Sequence, residues 1–264
     1  GMFQDCSLLK EINISNFNTS KVENMSRMFD DCKQVTSLDV SLFNTEKVKD
    51  MTKMFEYCST ITSLDVTNFN TSNVVHMLDM FAECEKLQFL DVSNFNTKNV
   101  KDMAGMFYDC SKLKELKVTN FDTSNVEDFS YLFYGCRFLS TLDVSNFNTE
   151  KATDMSLMFK GCSGLSSLNV SSFDTSKVTN MSYIFGSCSS LRSLDVSNFD
   201  TSNVVTMQGM FSGCSSIKEF QLSNFDTSKV TDMSYMFQDC YVSNIINLES
   251  FDTSNVQDMY YMFG

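Results

Sequence analysis

One stretch decides the fold: Cys188-Ser189-Ser190-Leu191-Arg192-Ser193-Leu194-Asp195-Val196-Ser197-Asn198-Phe199-Asp200-Thr201-Ser202-Asn203-Val204-Val205-Thr206-Met207-Gln208-Gly209-Met210-Phe211-Ser212-Gly213, after which Cys214 opens the same pattern again. Outward from it, cysteines stand at Cys6, Cys32, Cys58, Cys84, Cys110, Cys136, Cys162, Cys188, Cys214 and Cys240, and every interval is 26 residues. A strict period of this size marks a stacked array, because one such unit cannot bury its apolar face alone and must cover it with its neighbours. With each Cys as position 1, position 12 is Phe from Phe17 to Phe251 and position 24 is Phe from Phe29 to Phe263. Phe3 stands in the position-24 column ahead of Cys6, and all 18 Met residues occupy positions 20 and 23. Apolar columns held in register predict stacked side-chain ladders.

The composition follows from those columns. With 42% hydrophobic and 20% charged residues, the chain carries enough apolar surface to offset the entropy of ordering, which excludes disorder. No run approaches the roughly 18 apolar residues of a membrane span. The start, Gly1 to Cys6, lacks the basic and then apolar layout of a signal peptide. The expectation is a segment that does not itself enter a membrane and whose targeting sequence is missing. A net charge of −13 disfavours nucleic acid and anionic lipid, which reward clustered Lys and Arg. The chain has no Pro, so its turns must be built from Asn, Asp, Ser, Thr and Gly.

Local pattern divides each unit. Positions 7 to 9, as in Leu64-Asp65-Val66 and Leu194-Asp195-Val196, alternate apolar and polar and predict a strand. Positions 17 to 20, as in Val230-Thr231-Asp232-Met233, predict a second short strand. Met, Met and Phe at positions 20, 23 and 24 fall at i, i+3 and i+4, which predicts one helical or 3₁₀ turn. The expected fold is a β-rich repeat solenoid of parallel, in-register strands. It forms a single domain over residues 1–264, about ten units long and broken at both ends out of a longer array.

The pattern C-x-x-L-x-x-L-x-V followed by V-x-x-M-x-x-M-F-x-x-C, as in Cys188 to Val196 and then Val204 to Cys214, resembles the BspA-type leucine-rich repeats. More narrowly it is similar to their 26-residue variety, once labelled a mycoplasma family of unknown function. The resemblance spans the whole chain. It implies a right-handed solenoid with a parallel sheet on its concave face, in secreted, lipid-attached or surface-anchored proteins that adhere to host matrix proteins, glycans or neighbouring cells. Departures are local: Ser243 replaces the apolar residue of position 4, Ala152 replaces Val at position 17, and Phe129 and Leu132 replace Met.

Candidate functional residues are few once the ladders are set aside. Zinc motifs need ligands within a few residues of one another, whereas here there is one Cys per unit and a single His, His76, so buried free thiols are expected and no metal or cofactor. Acidic columns at position 8 (Asp39, Asp65, Asp91, Asp143, Asp195) and position 19 (Asp50, Asp102, Asp128, Asp154, Asp232, Asp258) read as turn carboxylates, with calcium-dependent binding as the alternative. Lys117, Asn169, Gln221 and Asn247 interrupt the position-8 column. Thr at position 14, Thr19 to Thr253, reads as a turn residue whose hydroxyl satisfies backbone groups, in preference to an ice-binding face. The resemblance implies a binding face at positions 5, 6 and 8, where polar residues vary: Lys114, Glu115 and Lys117; Arg192; Lys218, Glu219 and Gln221. Tyr131, Tyr183 and Tyr235 at position 22 add interface candidates, since Tyr offers area with a polar tip. No constellation of nucleophile, base and orienting group is legible. The expectation is a non-catalytic adhesion module, with a structural spacer or stalk as the alternative.

Overall fold

The computed structural model describes residues 1–241 and 248–264; Ser243 and Asn247 lie outside them. The 26-residue units are rungs of a solenoid, each stacked on the next so that the same position meets itself one rung away. Parallel bridges link Asn24, Asp50, His76, Asp102, Asp128 and onward to Asp258, always at position 19. Around this line the N–H of position 18 donates back to position 18 of the preceding rung, as Lys49 to Glu23 at 2.8 Å, and that of position 20 donates forward, as Met25 to Asp50 at 2.9 Å. The region expected as the principal strand is different. Among the described residues there is no ladder at positions 7 to 9, and the bridges of this stretch join Ser63, Phe89 and Glu115, at position 6.

The helical or 3₁₀ turn expected at positions 20 to 24 is absent, and the described residues contain no helix. Its place is taken by overlapping turns, closed by N–H bonds from position 23 to 20, 25 to 22 and 1 to 24, as in Met54 to Met51, Glu56 to Lys53 and Cys58 to Phe55. The even N–H groups point outward to the next rung: Lys53 to Leu78 at 2.8 Å, Phe55 to Met80 at 2.9 Å and Tyr57 to Ala82 at 2.9 Å. A helix would have spent these donors internally; here the backbone is satisfied by stacking. The geometry needs left-handed residues at positions 22 and 26, from Arg27 (φ 54°) and Asp31 (φ 60°) to Tyr235 (φ 60°) and Asp239 (φ 54°). Such a conformation costs a non-glycine residue about 1–3 kcal/mol, and glycine recurs in these columns at Gly105, Gly135, Gly161, Gly209 and Gly213. At Gly209 an added Cβ would fall inside the Tyr183 ring, so the tyrosine of one rung lies on the bare backbone of the next.

Polar side chains replace the turn chemistry that proline would supply. Each described Thr of position 14 except Thr253, in the last rung, joins its neighbour through one hydroxyl: Thr123 Oγ1 donates to the Asn148 carbonyl and accepts from the Asn148 N–H, both at 2.8 Å. These threonines are about 1% exposed from Thr45 to Thr227 and 5% at Thr19, which gives them the expected backbone role and leaves them no face for ice. Asn at position 11 crosses rungs too; Asn68 Nδ2 donates to the carbonyls of Val40, Ser41 and Phe43 at 3.0–3.2 Å. Carboxylates at positions 8, 13 and 19 accept the N–H two residues on, as Asp65 from Thr67 at 3.0 Å, Asp122 from Ser124 at 3.1 Å and Asp128 from Ser130 at 2.8 Å. With so many N–H groups in use, a proline would orphan a bond at most positions.

The core lies inside the coil. Position-24 rings form one unbroken stack from Phe3 to Phe263, with centroids 5.4–6.0 Å apart and planes within 17°. Position-12 rings pack beside it, as Phe43 on Phe29 at 6.3 Å. Met, Val and Leu columns fill the remaining space. All ten cysteines are free thiols, and each Sγ from Cys32 to Cys240 donates to the carbonyl of the position-24 Phe 29 residues earlier, as Cys110 to Phe81 at 3.1 Å.

Candidate functional site

Positions 5 to 8 present a face that the ladders do not consume. Lys114, Glu115 and Lys117 are exposed, as are Arg192, Lys218, Glu219 and Gln221, because position 4 and position 7 turn inward on either side of them. The structure brings the first three together. Lys114 Nζ lies 5.6 Å from the Phe89 ring centre, and Lys117 pairs with Glu115 at 3.3 Å. Phe89 itself is 59% exposed at a position where a polar residue would be expected. Phe89, Leu90, Asp91, Ser93, Glu115 and Lys117 line a shallow cavity of about 390 Å³. A second, sharing Glu115 and Lys117, continues it past Thr141 and Asp143 to Asn169. The result is an open trough lined by one aromatic, one cation and several acceptors, with Lys114 against the aromatic. Arg192 and the group Lys218, Glu219 and Gln221 stand on later rungs and take no part in it.

Position 22 divides. Tyr131 is exposed, whereas Tyr183 and Tyr235 are half-buried. Tyr183 is committed to its own array, with Lys160 Nζ 3.9 Å from the ring centre and Gly209 beneath it. Tyr235 packs edge-on against Tyr260 at 5.5 Å. Tyr131 belongs to a tyrosine cluster in the middle of the array, 5.9 Å from both Tyr108 and Tyr134, which stack on each other at 4.6 Å, as Tyr235 belongs to one with Tyr260 and Tyr261 in the last rungs.

Electrostatics separate two kinds of carboxylate. Hydrogen bonds from Thr67 hold Asp65 below the usual range, and those from Ser93 do the same for Asp91. Burial instead raises Glu56, Glu83, Asp102 and Asp109. Among the described residues no group of three or more His, Cys, Asp or Glu is placed to hold a metal ion. Burial also pushes the Cys32 and Cys162 thiols up to about 12, so these sulfurs stay protonated and act as small apolar donors.

A solenoid of rungs alike in their core and varied on their surface defines a repeat protein. The chain belongs to the family described as "Mycoplasma protein of unknown function, DUF285", whose matches at residues 1–87, 58–167, 109–215 and 185–264 tile it. No curated protein matches it. Among solved structures it is similar to a leucine-rich cell surface protein from Faecalibacterium prausnitzii A2-165, at 17% identity over 83% of this chain and 62% of that one, TM-score 0.42. A leucine-rich repeat protein from Eubacterium ventriosum ATCC 27560 gives 16% identity over 93% of this chain and 80% of that one, TM-score 0.41. The functional domain of InlJ from Listeria monocytogenes, which includes a cysteine ladder, gives 13% over 86% and 55%, TM-score 0.38. The chain thus spans less than two thirds of the first and third of these.

Proposed function

We propose that this chain is a non-catalytic, cell-surface binding module of BspA-like type that holds a host or neighbouring-cell protein or glycan in the trough between Phe89 and Asn169. The observation that carries the reading is the trough itself, where an exposed aromatic stands beside Lys114 and Lys117. Elsewhere the repeated side chains are spent on holding rung to rung. Aromatic and basic side chains in an open groove favour polar polymers and extended peptides. The test is a binding scan of the intact chain over matrix proteins, mucins and glycans, repeated with a Phe89→Ser, Lys114→Ala, Lys117→Ala triple variant. A saturable partner whose affinity drops at least tenfold in the variant supports the reading. Binding that is absent, or unchanged in the variant, sinks it.

A structural spacer is the second reading, favoured by the unbroken Phe3 to Phe263 stack, which gives a stiff rod. Exchange of the rungs carrying the trough for other rungs separates the two. A spacer keeps its function after the exchange and an adhesive face does not.

A further inference from the structure

The columns at positions 21, 22 and 25 are interrupted in the middle of the array. At position 25, Ala82 stands between Glu56 and Tyr108; at positions 21 and 22, Ala104 and Gly105 precede Ser130 and Tyr131. These small residues open a cavity of about 430 Å³, lined by the Tyr57, Tyr108 and Tyr131 rings and by the Glu56, Asp79 and Glu83 carboxylates. Gly105 leaves room there: its φ is +60°, and the Asp79 carboxylate of the rung before leans over the space a Cβ would take.

The charges in the cavity do not balance. Lys53 is shared between Glu56 at 2.9 Å and Asp79 at 3.2 Å. Glu83 has no ion-pair partner among the described residues; the charges that act on it are Asp109, Glu85 and Glu56, all of its own sign. Beside it, the buried Asp109 Oδ1 accepts no hydrogen bond, and the nearest guanidinium, that of Arg137, is 3.8 Å away. At other tyrosines the chain supplies the cation itself. Lys160 of position 25 rests on the Tyr183 ring at 3.9 Å and Lys33 lies 5.3 Å from the Tyr57 ring centre, whereas among the described residues no ammonium lies over Tyr108 or Tyr131.

Tyrosine rings, with their negative quadrupole, beside the uncompensated Glu83 carboxylate match an organic cation with an apolar stem. We propose that this cavity binds an alkylammonium or guanidinium group, with Glu83 as its counter-ion and Tyr108 and Tyr131 as its aromatic wall. Such a group comes from a basic side chain of a peptide or from a free polyamine. The site lies on other positions of the rung than the Phe89 trough, so it stands or falls independently of that reading.

The test is titration of the intact chain, followed by NMR or calorimetry, with Nα-acetyl-lysine methylamide, its neutral isostere Nα-acetyl-norleucine methylamide, a lysine-containing tripeptide and spermidine. Saturable millimolar or tighter binding of the lysine amide is expected, at least about tenfold weaker for the isostere and for Glu83→Gln. Ala82→Gln, which gives position 25 the side chain it already has at Gln238, fills the cavity and abolishes binding; it serves if Glu83→Gln does not fold. Tighter binding of the tripeptide assigns the site to peptides, and tighter binding of spermidine assigns it to polyamines. No saturable binding of any cation, equal binding of the isostere, or full binding by a folded Glu83→Gln or Ala82→Gln variant overturns the proposal.

Discussion

The two stretches of each rung hold the array together to very different degrees. Positions 18 to 26 send N–H bonds to the neighbouring rung at every second residue, as Met51, Lys53, Phe55 and Tyr57 do. Positions 5 to 8 contribute few, among them Gln88 to Thr62 at 3.0 Å and Lys114 to Gln88 at 3.3 Å. The first stretch is nearly uniform at its inward positions 20, 23 and 24, since these side chains must repeat their neighbours' geometry, while its outward positions 21, 22 and 25 vary. The second is free to vary, and there Phe89, Lys114 and Lys117 appear. Backbone pairing between rungs is thus divided unequally along the rung, a division that quasi-one-dimensional arrays allow because each unit meets only its neighbours.

The sharpest way to break this contrast is to cut the same residue type on each side of it. Phe133→Ala removes a ring stacked at 5.8 Å on Phe107 and 5.7 Å on Phe159 and should cost about 3–5 kcal/mol. Denaturant unfolding should then lose its single transition as the array divides at that rung. Phe89→Ala, on the exposed side, should change stability by less than about 0.5 kcal/mol; a loss comparable to that of Phe133 would mean that the trough is part of the scaffold.

Next in size is Thr123→Val, which keeps the shape and strands the Asn148 N–H and carbonyl. A loss of about 2–4 kcal/mol in chemical denaturation is expected. Cys110→Ala removes a buried sulfur donating to Phe81 and should cost about 1–2 kcal/mol. Under native conditions, alkylation followed by mass spectrometry should mark the half-buried Cys6 and Cys240 before the eight buried thiols. Early labelling of Cys110 would contradict a sealed core.

The smallest effect is that of pH. Asp65, Asp91 and Asp122 have folded values lowered by hydrogen bonds from Thr67, Ser93 and Ser124. Their stabilisation is present above the unfolded value of about 3.9 and is lost as pH falls through the lowered folded values. Glu56, Glu83, Asp102 and Asp109 are raised by burial. Their contribution is present below unfolded values of about 4 and is lost as pH rises through the raised ones. The melting temperature should therefore peak in mildly acidic solution and decline on both sides, and Glu83→Gln should flatten the decline toward neutrality.

How much of this was legible in the sequence depends on what each residue records. A side chain that repeats in register records its own burial, so the Phe, Met and Cys columns and the free thiols could be read directly. Thr at position 14 carried its role in its invariance among turn residues. The spacing Met-x-x-Met-Phe did not distinguish a helical turn from overlapping turns, because both bring i, i+3 and i+4 together. The five glycines at positions 22 and 26, Gly105, Gly135, Gly161, Gly209 and Gly213, were the available signal for left-handed backbone. Leu64-Asp65-Val66 alternates as a strand does, yet alternation reports only which side chains turn inward, not whether the backbone meets a partner. Tyr183 and Tyr131 share a column and differ in exposure because one rests against Gly209 and Lys160 and the other borders the opening made by Ala104 and Gly105.

The sequence by itself determined the period, the stacking and the identity of the core, since a 26-residue unit with inward columns of Phe, Met and Cys has no other way to leave water. Only the tertiary structure decided which backbone groups meet across rungs, that the turn segment carries the main ladder, and that Phe89 with Lys114 and Glu83 with Tyr108 form two separate recesses. Those outcomes depend on residues a full rung apart in the chain coming within bonding distance, and on where a small side chain falls beside a large one. Both follow from stacking geometry rather than from any local pattern of residues.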